Sequence, residues 1–343
     1  MDTKDIDWGN LPFGYLKTDY NIRVYYKNGK WSEPEISTDD TVTLPLAATC
    51  LHYAQEIFEG LKAYRGKDGI VRIFRMEENA KRLAFSARGM CMQPVPAEIF
   101  SKCCTEIVKL NAKYIPPYGT GASLYLRPFL IGITPQVGVS PALEYMFGVF
   151  CSPVGPYFKE GFNPVRVQIV RDFDRAAPMG TGVYKCGGNY AASLQAIVRA
   201  KAEGYATVLF LDAKEKKYID EAGPANFYGI KNGQYVTPRS NSILRSITNM
   251  SIRELAADEG LTVVERPVTV EELADFSEAG TCGTAAVITP IKEIVDREVR
   301  KSYKFGDGEQ AGPISTQLYK RLKGIQFGEI EDKFFWNTII DVQ

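Results

Sequence analysis

Between Met179 and Tyr190 the chain reads Met-Gly-Thr-Gly-Val-Tyr-Lys-Cys-Gly-Gly-Asn-Tyr, with glycines at 180, 182, 187 and 188 around a single lysine, Lys185. Glycine permits φ > 0 and close backbone approach at an entropic cost, and weakens regular structure. Four of them in nine positions predict a shaped loop around something bulky. Asn189 to Glu203 then reads as a helix, with Leu194, Ile197 and Val198 on one face and Gly204 as its stop. A lone lysine among small and aromatic residues makes a poor solvated face. Poor solvation disfavours an ammonium, which is what an amine nucleophile or Schiff-base lysine needs. On local pattern alone, a loop lysine with its head in water is the commoner case.

At 343 residues the chain has room for two domains. Hydrophobic residues are 45% and charged residues 24%, as in globular proteins. The 41 basic and 41 acidic residues cancel, so charge favours neither nucleic acid nor an acidic membrane as partner. The start, Met-Asp-Thr-Lys-Asp-Ile-Asp, lacks the apolar centre of a secretory signal, and no apolar run reaches membrane-span length. The seven cysteines include no C-x-x-C pair, so neither a disulfide framework nor a zinc site is expected, and a reducing cytoplasm fits. Cys186 is better suited to small-residue packing than to reactivity. The only histidine is His52, which removes most histidine-triad and multi-histidine metal chemistry, and no metal is expected.

Residues 20–31 read as a strand running into an Asn-Gly turn. In the stretch 51–65, Tyr53 and Phe58 are candidate aromatic walls, and Gly60 leads into an apolar strand. A short strand at 71–75 precedes helical stretches at 77–88 and 97–112. Arg82 in the first helix is a solvent-facing residue, a carboxylate partner or a phosphate ligand, since its planar fork suits oxyanions. Residues 122–132 form an apolar strand in which Tyr125 and Arg127 share a face. That buried charge requires an anion, either internal or from a substrate. Pro128 predicts an edge or a bulge there. After a strand at 145–152, the Pro- and Gly-dense residues 153–164 predict a domain linker. Strands follow at 165–171 and 206–212. Glu221 lies in a turn-rich stretch, and a helix opens near Ser242–Ser251, where exposed amides suit a phosphate. The small residues from Gly280 to Ala286 make a turn able to bring amides to an anion.

These segments, in this order, resemble the branched-chain amino-acid aminotransferases of the class IV pyridoxal-phosphate (PLP) enzymes. The matching stretches run from Leu51-His-Tyr through Phe58-Glu-Gly-Leu-Lys, Asn79…Arg82-Leu83, Tyr125-Leu-Arg-Pro128 and Gly138-Val-Ser140. They continue through Arg175-Ala-Ala-Pro, Lys185-Cys-Gly-Gly-Asn-Tyr190, Glu221…Asn226 and Gly283-Thr-Ala285. The resemblance implies an α/β (α+β) protein of the two-domain D-amino-acid aminotransferase-like fold. A small N-terminal α/β domain would span 1–152 and a larger C-terminal domain with a β pseudo-barrel 165–343.

It further implies that Lys185 is the Schiff-base lysine and proton shuttle. Glu221 would face the pyridine nitrogen and Tyr190 the ring oxygen. Arg82, the amides of Ile247 and Thr248, and Thr284 would hold the phosphate. Tyr53 and Phe58 would wall the branched side chain, Tyr125 and Arg127 would recognise the alternating substrates, and Thr284, Ala285 and Ala286 would take the α-carboxylate. The implied reaction is ping-pong transfer between leucine, isoleucine or valine and 2-oxoglutarate, in a cytoplasmic homodimer. The chain departs from the family at Ser246-Ile-Thr-Asn249, at Pro224, and at Val287-Ile288-Thr289, where no thiol pair stands. A D-amino-acid aminotransferase, an aminodeoxychorismate lyase and a non-catalytic homologue are the alternatives.

Overall fold

The computed structural model describes residue 3 and residues 6–155 and 162–342. In chain order these hold β1 (Asn21–Lys27), β2 (Lys30–Trp31), β3 (Glu35–Ser37), α1 (Thr49–Tyr53), β4 (Glu56–Phe58), β5 (Leu61–Arg65) and β6 (Val71–Phe74). Next come α2 (Met76–Gly89), α3 (Ala97–Leu110), β7 (Ser123–Gly132), β8 (Tyr145–Val154), β9 (Val165–Val170) and α4 (Gly187–Ala202). Then follow β10 (Thr207–Leu211), β11 (Ile219–Ala222), β12 (Ala225–Lys231), β13 (Gln234–Pro238), α5 (Ile247–Asp258) and β14 (Thr262–Arg266). The last are β15 (Glu278–Gly283), β16 (Val287–Asp296), β17 (Lys301–Lys304), α6 (Pro313–Gln326) and β18 (Asn337–Ile340).

The described chain forms two compact units. The first takes the residues up to 155 with 184–187 and 324–342; the second takes 162–183 and 188–323. Two stretches fall elsewhere than a simple cut at the linker places them. β18 pairs antiparallel with β6, from Asn337↔Phe74 to Ile340↔Val71, so the C-terminus belongs to the first unit. Residues 184–187 join it through an Ile57↔Cys186 bridge. Both are long-range pairings that no local pattern encodes. Of the linker expected at 153–164, residues 156–161 lie outside the described residues, and 153 and 154 complete β8.

In the first unit the strand order is β18-β6-β5-β7-β8-β1-β2, with β3 on β1 and β4 on β7. α3 buries Phe100, Cys103, Cys104, Ile107 and Val108, the i, i+3, i+4, i+7, i+8 stripe of an amphipathic helix. A fully buried Ile or Phe of this kind contributes roughly 1.5–3 kcal/mol, so a charge at Ile107 would break the packing. On β7, Leu124, Leu126 and Leu130 are buried, whereas Tyr125, Arg127, Phe129 and Ile131 on the opposite face are half-buried. Neither the edge nor the bulge expected at Pro128 is found: β7 is central and pairs with β8 in unbroken register along all ten residues. The physical reason is a break in its other neighbour. Pro128 C=O accepts Glu59 N–H at 2.7 Å, so its missing N–H would also face residues 59–60, between β4 and β5.

The second unit's sheet runs β11-β10-β9-β16-β15-β12-β13-β14, with β17 on β16. β11 pairs with β12 as well as with β10, which closes β11-β10-β9-β16-β15-β12 into a barrel and removes its edges. β10 is buried on both faces. Leu209 and Leu211 join one core, with Val167, Ile169 and Phe227, while Val208 and Phe210 join a second with Ala196 and Ala200 of α4. Of the face expected for that helix, only Ile197 packs against this core. Leu194 and Val198 are 58% and 65% exposed, while Asn189, Ser193, Ala196 and Ala200 are buried. Small side chains let the helix lie close on β10, and hydropathy alone ranks them below leucine and valine.

Candidate active site

In the first unit the lysine segment is stitched to its neighbours through its backbone. Lys185 N–H donates to Ser86 Oγ at 3.0 Å, and Lys185 C=O accepts from Phe58 N–H at 3.0 Å. Gly187 N–H donates to a Glu56 carboxylate that burial pushes above its usual range. These bonds fix the backbone and leave direction to the side chain, whose Nζ stands 4.7 Å from the centroid of the Phe58 ring. None of the four glycines of the loop takes a positive φ, contrary to the freedom expected of them. A Cβ at Gly187 would meet Glu56 Oε1 at 2.1 Å, so close approach is what this glycine supplies.

Phe58 is shared. The Arg127 guanidinium lies 4.8 Å from its centroid and 5.2 Å from that of Tyr125, and Arg127 Nη2 donates to Tyr125 Oη at 3.1 Å. No carboxylate among the described residues lies within ion-pair distance of Arg127, and its buried Nε has no hydrogen-bond partner. The structure therefore brings Lys185, Phe58, Tyr125 and Arg127 together. Tyr53, at the end of α1, is placed differently: its hydroxyl donates to Val137 C=O and its ring contacts His52.

Arg82, on α2, pairs with Glu59, which is fully buried next to Phe58. Asn79, one turn earlier on α2, donates to the same carboxylate at 2.7 Å. Arg82 is thus a carboxylate partner whatever else it binds, and an oxyanion is served by what remains of its fork. Glu59 and Asn79 stand in stretches that carry the resemblance but were given no role there, although a glutamate in so apolar a stretch is a signal that a partner is needed.

In the second unit Glu221 and Asn226 face each other across β11 and β12, and Asn226 pairs in turn with Cys282 on β15. Gly223 (φ +56) and Pro224 make the two-residue turn between β11 and β12, a pattern that suits a II′ hairpin. The departure at Pro224 is therefore a turn residue. Glu221 Oε1 accepts Leu244 N–H, and Asn226 Nδ2 donates to Leu244 C=O at 3.1 Å, so one carboxylate and one amide grip both ends of the same residue. Three residues later α5 begins. Ser246 Oγ caps Asn249 N–H at 3.2 Å, and Ile247 and Thr248 supply the helix's first two amides, which have no intrahelical acceptor. The Asn249 side chain turns inward to Asn226, Thr237 and Tyr235.

Thr284, Ala285 and Ala286 form the turn joining β15 and β16, at the same end of the barrel as the Gly223-Pro224 turn, because Asn226 pairs with Cys282. Val287, which closes that turn, is held at φ +67, a strained value for a β-branched residue. Burial pushes the Cys282 thiol up to about 12, so it is not a nucleophile at neutral pH. Tyr190 is half-buried in the first turn of α4. Near it, Thr181 Oγ1 donates to Asn189 Oδ1 and Asn189 Nδ2 donates back to Thr181 C=O, each at 2.8 Å. Among the described residues no cluster of His, Cys, Asp and Glu could hold a metal, and no helix is long and apolar enough to cross a membrane.

The model of the amino-transferase class IV family matches residues 56–294. The chain is 47% identical over 340 residues to a branched-chain-amino-acid aminotransferase of Haemophilus influenzae, covering 97% of this chain and 98% of that one. It is similar in structure to the Escherichia coli branched-chain amino acid aminotransferase, with a TM-score of 0.77 and 28% identity over 95% of this chain and 100% of that one. The branched-chain aminotransferase of the thermophilic archaeon Thermoproteus uzoniensis with norvaline gives 0.76 and 27%, covering 93% of this chain and 100% of that one. A further branched-chain amino acid aminotransferase, complexed with N-(5'-phosphopyridoxyl)-L-glutamate, gives 0.75 and 26%, covering 94% of this chain and 99% of that one. The buried carboxylate, the fixed lysine and the helix-start amides thus stand in a chain that belongs to the class IV aminotransferases, among the branched-chain amino-acid aminotransferases.

Proposed function

We propose that this enzyme transfers the amino group of leucine, isoleucine or valine to 2-oxoglutarate, with PLP as cofactor. The donor set fits that group: a buried carboxylate for a ring nitrogen, an arginine and helix-start amides for a phosphate, and a lysine with a fixed backbone. PLP, when bound, supplies the electron sink for the bond broken at the substrate Cα. The protein supplies position and protons. Lys185 holds the cofactor and carries the proton between the two carbon positions. Glu221 keeps a proton on the ring nitrogen, and Tyr190 faces the ring oxygen. Arg82, Ile247, Thr248 and Thr284 hold the phosphate, and the turn Thr284-Ala285-Ala286 takes the α-carboxylate.

The observation that carries the substrate assignment is Arg127. A guanidinium over two aromatic rings, with no carboxylate within ion-pair distance among the described residues, can take the side-chain carboxylate of glutamate, while Phe58 accepts an apolar side chain in the other half of the cycle. Loops near Leu46 and Val137 carry an apolar patch: Leu46, Val137, Val139 and Leu143 are 90%, 88%, 86% and 76% exposed. A bridge between Ala48 and Pro135 joins those loops. Such a patch suits burial against a second copy, and we assign the enzyme as a homodimer. The cysteines are all free, which suits the cytoplasm. A panel of amino donors with 2-oxoglutarate as acceptor tests the function. Leucine, isoleucine and valine should lead it; turnover with D-alanine alone would point to the D-amino-acid aminotransferase branch.

A further inference from the structure

Arg175 is buried, and its guanidinium gathers three groups of the second unit on one nitrogen. Nη2 donates to Gly182 C=O at 3.1 Å and to Ser242 C=O, and it stands 3.3 Å from Glu221 Oε1. Both side chains are almost fully enclosed, at 6% and 3% exposure. The two carbonyls come close because residue 182 is glycine: a Cβ there would meet Ser242 O at 2.3 Å. The neighbouring carboxylate, Asp220, is occupied by the hydroxyls of Ser240 and Ser242, so Glu221 is the one that the guanidinium meets directly. Arg175 Nε has no partner among the described residues.

We propose that Arg175 is a positioning residue for the reaction: it keeps Glu221 ionised and aimed, and so places the shared proton on the ring nitrogen of the cofactor instead of on the carboxylate. The physical reason is the choice facing any proton between a buried carboxylate and a pyridine. Burial favours neutral partners, a carboxylic acid beside an uncharged ring. A fixed cation behind the carboxylate reverses that choice, because it stabilises the anion and does not itself give up a proton. A protonated ring withdraws electrons from the substrate Cα; a neutral ring does so poorly. The same guanidinium holds the start of the lysine loop at Gly182 and the approach to α5 at Ser242, so charge and position are set by one side chain.

This rests on the assignment of Glu221 to the ring nitrogen, and the test separates the two. The enzyme is loaded with PLP carrying ¹⁵N in the ring, and the ring-nitrogen shift is recorded for the parent, Arg175→Gln, Arg175→Lys and Glu221→Gln. Glutamine keeps N–H donors for the two carbonyls and removes the charge. The parent and Arg175→Lys should show a pyridinium near neutral pH, and Arg175→Gln a neutral pyridine. The glutamine variant should also lose kcat by roughly 10–100-fold, as outer partners of metal ligands do when removed, with the leucine KM little changed. If Arg175→Gln does not fold, Arg175→Lys decides, because a buried lysine loses its proton in alkali: its ring nitrogen should become neutral there while the parent's does not. A pyridinium in Arg175→Gln, or alkaline behaviour of Arg175→Lys matching the parent, overturns the proposal. A pyridinium retained in Glu221→Gln would instead overturn the Glu221 assignment beneath it.

Discussion

Arg82 and Glu59 meet in a two-pronged ion pair: Nε donates to Oε1 and Nη2 to Oε2, each at 2.7 Å, with side-chain exposures of 9% and 0%. Such a pair is costly to desolvate and costlier to break, since removing one partner strands a buried charge. Glu59→Gln should therefore destabilise the protein by about 3 kcal/mol or more and weaken PLP binding through a misplaced Arg82. Urea unfolding with and without PLP measures both. An unchanged midpoint would show that the pair contributes no net stability.

Arg127→Leu should harm the glutamate/2-oxoglutarate half-reaction far more than the leucine half-reaction, because only glutamate brings a second carboxylate. Truncating one side of a buried charge pair costs about 2–5 kcal/mol, which is roughly 30-fold to several-thousand-fold. Single-turnover spectra of each half-reaction give the ratio, with a thermal melt as control. Equal losses in both halves, together with a lower melting temperature, would make Arg127 a structural residue.

Asn249 lies in the first turn of α5, and its side chain is a hub. It accepts from Tyr235 Oη at 2.8 Å and donates to Asn226 Oδ1 at 3.1 Å and Thr237 Oγ1 at 3.0 Å. Asn249→Leu strands those groups, each costing about 1–3 kcal/mol when buried, so the variant should melt well below the parent. A variant as stable as the parent would mean that water or a rearrangement satisfies all three.

Much of this fold was legible because local signals agreed with it. The Asn28-Gly29 turn, the stripe of α3 and the apolar run of β10 each carry their structure in their own residues. The barrel closure by β11 and β12 and the return of β18 to β6 depend on partners far along the chain, and hydropathy does not encode them. At the site, motif residues such as Lys185 and Glu221 stood out. Their supports were not assigned: Ser86, under the Lys185 amide, looks like an ordinary helix residue, and Arg175 stands in a matching stretch but shows its role at Glu221 only through its contacts.

Glu272 sets an acid limit away from the site. Arg266, first, and Lys231 hold its carboxyl at about 2, against an ordinary value of 4.5. Being lower in the folded protein, it leaves the folded state with fewer bound protons than the unfolded chain between those values. Its contribution is complete above about pH 4.5 and is lost as the pH falls toward 2. Glu272→Gln should melt lower than the parent at pH 7 and lose less on acidification to pH 3. A loss on acidification as large as the parent's would exclude Glu272 as a source of acid sensitivity.

The role of Lys185 is tested most directly by reducing the PLP-loaded enzyme with borohydride, digesting it, and locating the pyridoxyl group by mass spectrometry. Its backbone is held by Ser86 and Phe58 and its amine stands against the Phe58 ring, so the label should fall on Lys185 alone and should be absent from Lys185→Ala. A pyridoxyl group on any other lysine, or full transaminase activity in Lys185→Ala, would contradict it.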